Sequence, residues 1–342
     1  MARAAAIPFV LLLLAGATGG CVEQAAAPSP TPGGLLLGAE SRLPTLPRAE
    51  ATLDAPPAWR LGEWWHVSFS APPYGISAEL DAVVVGTDAG RYVLGMADRL
   101  DDGVLLLHFP GFGEVEPATL GFDAHDRAIV PLQFPLVAGK AWQTQWYTGA
   151  PLAATVESVD AAAGTATVRM TGARTLTLVY DARLGFISRL AIDGYGGYAV
   201  TGHGYGFHGR VLVPAHQDLV FCHGREAVVQ AVEFCATKAA TDPKAPTETV
   251  VLKEGYDRVS FGLFLRDTAT APVGPGVLAI RVTAPDGKVY EASKTPATTG
   301  MAMYPHSLEH PAGAWQVTAA AAGEGLAILE GVAYQVLDIT LP

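Results

Sequence analysis

Basic residues are scarce in this chain: 22 Lys and Arg stand against 33 Asp and Glu, for a formal net charge of −11 over 342 residues. With no cluster of positive charge, it lacks the means to hold nucleic acid through neutralised phosphates. Charged residues of either sign make up only 16% of the chain, below the usual quarter, while half of all residues are hydrophobic. No apolar run beyond residue 21 approaches membrane-spanning length, so that hydrophobicity belongs in folded cores. Missing too are a G-x-S-x-G nucleophile elbow, a phosphate-cradling loop and a dinucleotide fingerprint. Their absence removes the common signatures of acyl-transfer, nucleotide and hydride chemistry, and no cofactor is implied. What the chain has in quantity is turn formers, with 38 Gly and 25 Pro spread along it. Its length allows two domains and a core large enough to stand without staples.

The first 21 residues, MARAAAIPFVLLLLAGATGGC, have the layout of a secretory signal: Arg3, an apolar run from Ile7 to Gly16, then small residues. Ten residues at about 1.5 Å each cannot cross a hydrocarbon layer of roughly 30 Å, so the segment reads as an export signal rather than a span. Cys21 directly after Gly19 and Gly20 resembles the lipobox of prokaryotic lipoproteins. That resemblance implies cleavage before Cys21 and diacylation of its thiol. Loss of Arg3 would bring the net charge to −12. The other two cysteines, Cys222 and Cys235, then form a natural disulfide pair in an oxidising compartment. Such a bridge would stabilise by roughly 3 kcal/mol. A metal site that also used His223 is the alternative for the same two thiols.

Residues 22–56 are rich in Pro, Ala and small polar residues without sustained period, and read as a disordered tether. Order is expected from Trp59. WWHVSFS alternates with period two, ELDAVVVGTDAGRYVLGMA reads as two strands about a turn, and a series of short strands follows to Phe207. AAAG, DARLG and DGYGG separate them. With no helical period this predicts an antiparallel meander that curls. The motifs W-x-x-G-E-W-W (from Trp59), FPL-x-x-GK-x-W (Phe134 to Trp142) and YD-x-x-LGF-I (Tyr180 to Ile187) make this stretch resemble secreted half-barrel, lipoprotein-carrier-like domains. That likeness implies binding rather than chemistry. No long helix is evident to plug the sheet, which leaves lipid or the sheet's own core as its filling.

Residues 218–244 read as a connector and linker that the cysteine pair would close, their helix or strand state open. A second β unit is expected over 245–342, with APDGK as a hairpin turn. Its PDG-K turn and G-x-W-x-V strand (Gly313 to Val317) resemble pre-peptidase C-terminal β-sandwiches, which implies an accessory or binding module. No acidic cluster matches the Ca²⁺ sites of some members.

Few constellations carry chemistry. His306-x-x-Glu309-His310 matches the H-x-x-E-H pattern of inverted zinc peptidases, which needs a helix to put both imidazoles on one face. Pro305 and Pro311 bracket it and disfavour that helix. Met301, Met303, His306 and His310 form a milder candidate metal set of a kind that suits copper. His203, His208, His216 and His223 read as surface or satisfied histidines, and Asp98, Asp101 and Asp102 as a solvated turn. Glu114 and Glu116 are spaced to face one way, but nothing else supports a paired-carboxylate glycosidase. Six tryptophans could stack sugars, though core packing accounts for them more simply.

The expectation is therefore an all-β chain: signal peptide 1–21, tether 22–56, a curled half-barrel-like sheet over 57–217, the connector, and a C-terminal β-sandwich or jelly roll. Its expected role is non-enzymatic binding or structure outside the cell membrane. The expected partners are the membrane through the Cys21 lipid, and a lipid, glycan or surface protein. A metal-binding protein or metal-dependent hydrolase using His306, Glu309 and His310 is the alternative.

Overall fold

The computed structural model describes residues 51–72, 76–97, 113–124, 127–145, 151–172, 175–194, 196–223, 247–252, 254–266, 276–294, 300–309, 312–323 and 326–339. Among these there is no α-helix; nearly all of the described residues are in strands, turns and short connections, as the alternation of apolar and polar residues predicts.

The first β unit contains β1 (Trp64–Ala71), β2 (Ile76–Asp88), β3 (Arg91–Ala97), β4 (Gly113–Glu116), β5 (Gly121–Ala124) and β6 (Arg127–Ile129). It continues with β7 (Ala141–Gln145), β8 (Pro151–Asp160), β9 (Thr165–Thr171), β10 (Thr175–Asp181), β11 (Phe186–Ile192) and β12 (Gly196–Gly204). They pair antiparallel in the path β6-β5-β4-β3-β2-β1-β12-β11-β10-β9-β8-β7. The expected curl goes far enough for the two ends of that path to meet. There Val130, just after β6, receives the Trp142 indole N–H on its carbonyl (3.0 Å) and donates its own N–H to the Thr144 hydroxyl (2.9 Å). Those bonds matter because a sheet edge otherwise presents unpaired backbone groups.

Alternate residues point inward and form one continuous core: Trp65 and Val67 on β1, Leu80, Ala82 and Val84 on β2, Val156 on β8, Val168 on β9 and Tyr180 on β10. The period of two in the sequence is thus the inside-outside alternation of the wall. The β2–β3 hairpin turns through Ala89 and Gly90, both at positive φ (46° and 84°). The final residues of the expected tether are engaged as well, since the Leu53 carbonyl accepts the Leu136 N–H at 2.7 Å.

β3 is where the two β units join. Its first half pairs with β4 (Tyr92 opposite Val115), while Met96 and Ala97 pair with Leu212 and Val211 of β13 (Gly209–His223). β13 thereby enters the span expected as a connector; residues 224–246 lie outside the described set. β13 pairs in turn with the last strand, β20 (Leu326–Ile339). On its other side β20 pairs with β15 (Arg258–Arg266), and β15 with β18 (Gly300–Glu309). A four-stranded sheet of β14 (Thr247–Leu252), β19 (Gly313–Gly323), β16 (Gly276–Thr283) and β17 (Val289–Lys294) accompanies them. Trp315 of this sheet meets Phe261 of β15 with ring centroids 5.7 Å apart, and both are buried. The APDGK turn closes the β16–β17 hairpin: the Lys288 carbonyl accepts the Ala284 N–H, and the Asp286 carboxylate accepts the Lys288 N–H.

Candidate functional site

The three motifs singled out in the sequence meet at one end of the first β unit. Trp59 and Trp65, both buried, send their indole N–H groups to the carbonyls of Gly185 (2.8 Å) and Leu184 (2.9 Å). That turn belongs to the third motif. Asp181 shapes it by accepting the Arg183 N–H on its side chain and the Gly185 N–H on its backbone, and its carboxylate also pairs with the Arg183 guanidinium. Phe186, next in sequence, stacks on Trp65 with centroids 4.5 Å apart at 18°. The middle motif joins through Phe134, set edge-on against Tyr180 at 5.2 Å. Lys140 of that motif donates to the carbonyls of Gln133, Phe134 and Pro135 at 2.8–3.2 Å, pinning its loop.

A buried acid lies in the first motif. Glu63 is wholly inaccessible, and its Oε1 lies 3.0 Å from His203 Nε2 while Oε2 accepts the Arg60 backbone N–H at 3.2 Å. β1 and β12 place His203 directly across from Trp65, whose ring it stacks on (5.7 Å, 18°), and Tyr205 packs edge-on against it. Burying a carboxylate is costly unless it is paired and hydrogen-bonded, and both conditions hold here. On the opposite face of β1, His66 lies between two acids of β2: Nδ1 is 2.6 Å from Asp81 and Nε2 is 3.2 Å from Glu79. Both nitrogens of that ring thus face carboxylates. Among the described residues no three His, Cys, Asp or Glu side chains gather as a metal site. His66 faces two acids, and His203 one acid and the rings of Trp65 and Tyr205.

Behind the aromatic junction lies an apolar cavity, partly enclosed by the curled wall. Trp59 and Phe186 line it with Phe122 and Ile129 from one side and Met170 and Leu178 from another. The centre of a water-sized sphere can move through about 40 Å³ of it. Tyr198 also borders the cavity, and its burial pushes the phenol pKa well above the ordinary tyrosine value. Around it the sheet's own side chains form one continuous buried core.

The residues expected to carry chemistry are not assembled into this junction. Met301, Met303 and His306 lie along β18 with Glu309 at its end, and His310 lies outside the described residues. The H-x-x-E segment is thus extended, and the helical spacing that a zinc motif requires is absent over 306–309. Cys222 lies on β13 opposite Glu330, while Cys21 and Cys235 fall outside the described residues, as do Asp98, Asp101 and Asp102. Glu114 pairs with Arg91 (3.3 Å), and Glu116 accepts the Ala118 N–H in a turn. His203 is a satisfied histidine, as expected, and His208 is exposed. Four tryptophans (59, 65, 142 and 315) are buried rather than arrayed as a platform. Glu63 and His66 were missed by sequence reasoning; the one signal was an acid set directly between Gly62 and the Trp64-Trp65 pair.

No family model matches the chain, and no curated protein matches it. Among solved structures it is similar to an exo-beta-1,3-galactanase from Phanerochaete chrysosporium with galactose, at 8% identity over 75% of this chain and 78% of that one. The TM-score is 0.20, a likeness that carries no argument about fold or activity.

Proposed function

We propose that this protein is an extracytoplasmic lipoprotein, tethered through Cys21 to the outer face of the cell membrane, with a non-enzymatic binding role served by the first β unit. The leader and the Pro- and Ala-rich stretch after it support the address. The observation that carries the binding role is the cavity inside the curled sheet, walled almost entirely by apolar side chains. Specificity there comes from shape and apolar lining. The histidines beside the junction are committed to carboxylates, which supports a structural rather than a catalytic part for them.

The test is fractionation with surface protease treatment of intact cells. The wild-type chain is expected in the membrane fraction and open to protease, and Cys21→Ser is expected to release it from that fraction. Retention of both forms in the cytosol, protected from protease, would contradict the reading.

A further inference from the structure

We propose that the cavity of the first β unit binds a compact, uncharged hydrocarbon group about the size of one aromatic ring, and not an extended acyl chain. This rests on the binding role argued above and names the chemistry of what is bound.

Size comes first. One water occupies about 10–15 Å³ of centre space, so the 40 Å³ here corresponds to about three waters, or on the order of 100 Å³ of liquid. Water gains little by entering, because it needs two to four polar partners and these walls supply few. The one polar atom of the Trp59 indole is already bonded to Gly185, so the ring offers the cavity only hydrocarbon. An apolar guest gains dispersion contacts with walls of this kind.

Shape comes second. Trp59 and Phe186, 5.7 Å apart and tilted by 36°, give an aromatic side suited to a flat guest, and Met170 supplies a side chain that adapts to it. The same core continues around the cavity as packed side chains, Trp65, Leu132, Val156 and Val168 among them fully buried, so the space itself matches a compact guest rather than an extended chain. A charged head group would find almost no polar partner on these walls, and burying it there unpaired would be costly.

The full chain carrying Cys21→Ser, so that no acyl chain of its own is attached, is titrated with xenon, benzene and palmitate while methyl NMR signals are followed. Xenon and benzene should shift the methyl signals of Leu176, Leu178, Leu190 and Met170 saturably and leave Val211 and Val317 in place. Benzene should also raise the melting temperature with concentration, and Leu178→Phe, which fills the space, should abolish that rise. Unshifted cavity methyls up to the solubility limit of benzene would overturn the proposal. So would palmitate shifting them as strongly as benzene. Because the wild-type shifts need no cavity variant, a misfolded Leu178→Phe leaves the test intact. Membrane attachment plays no part in this assay, so a failed tether and a failed binding site give different results.

Discussion

The indole of Trp59 donates a 2.8 Å hydrogen bond to the carbonyl of Gly185, 126 positions later in the chain. Trp65 does the same to Leu184, so two tryptophans of one motif hold two adjacent carbonyls of a turn in another. Removing such a donor strands a buried acceptor. Trp65→Phe, which keeps most of the ring volume, is expected to cost about 1–3 kcal/mol, and Trp59→Ala, which also opens a void, about 3–5 kcal/mol. Urea unfolding followed by circular dichroism measures both.

Glu63 and His203 form the buried ion-pair-like contact of the junction. Replacing Glu63 by Leu should cost about 1–3 kcal/mol, because His203 then loses its hydrogen-bond partner in a site of low polarity. In a double-mutant cycle, Glu63→Gln with His203→Gln should be less destabilising than the sum of the singles by about 0.5–3 kcal/mol. Strict additivity would show that the two side chains do not act as a pair.

Gly95 occupies the point on β3 where the sheet divides between β4 and β13. A Cβ there would lie 2.5 Å from a Val211 methyl carbon and 2.9 Å from the Leu212 carbonyl. Backbone cannot yield as a flexible side-chain tip does, so Gly95→Val should push β13 off β3 at a cost of about 1–3 kcal/mol or more. Hydrogen exchange should quicken at the amides of Val211 and Leu212 and stay slow along β8 to β10. Uniform loss of protection across both regions would mean that the junction is not a local seam.

Tyr198 gives a pH dependence. Its phenol is neutral in the fold, and burial raises its pKa above the ordinary 10.0, whereas the unfolded chain ionises near that ordinary value. The sign follows from linkage: the contribution is fully present below about pH 10 and is lost as pH rises beyond it, because the unfolded state then releases a proton that the folded state keeps. Denaturation curves between pH 8 and 11 should show stability falling above pH 10, and Tyr198→Phe should flatten that fall.

The strands of the first unit were legible because one face is buried and the other is not, so residues such as Trp65, Val67 and Phe69 alternate with polar ones. The turns were legible because Gly90 and Gly287 sit at positive φ, where only a few residues are comfortable. The three aromatic motifs were visible as motifs, but that they converge on one turn was not, since Trp59 and Gly185 are brought together only by the curl. The Glu63–His203 contact escaped for the same reason, its members being 140 positions apart. The pairing of β13 with β20 was likewise hidden: register between strands so distant in sequence depends on the packing of both units, and local pattern does not encode it.

The central claim, a tethered protein outside the membrane, is most directly tested by the intact mass of the mature chain recovered from cells. The account predicts a chain that begins at Cys21, carries a diacylglyceryl group there, and is two hydrogen atoms lighter than its reduced form through a Cys222–Cys235 bridge. A mass that retains Met1, with all three thiols free to alkylate, would contradict it.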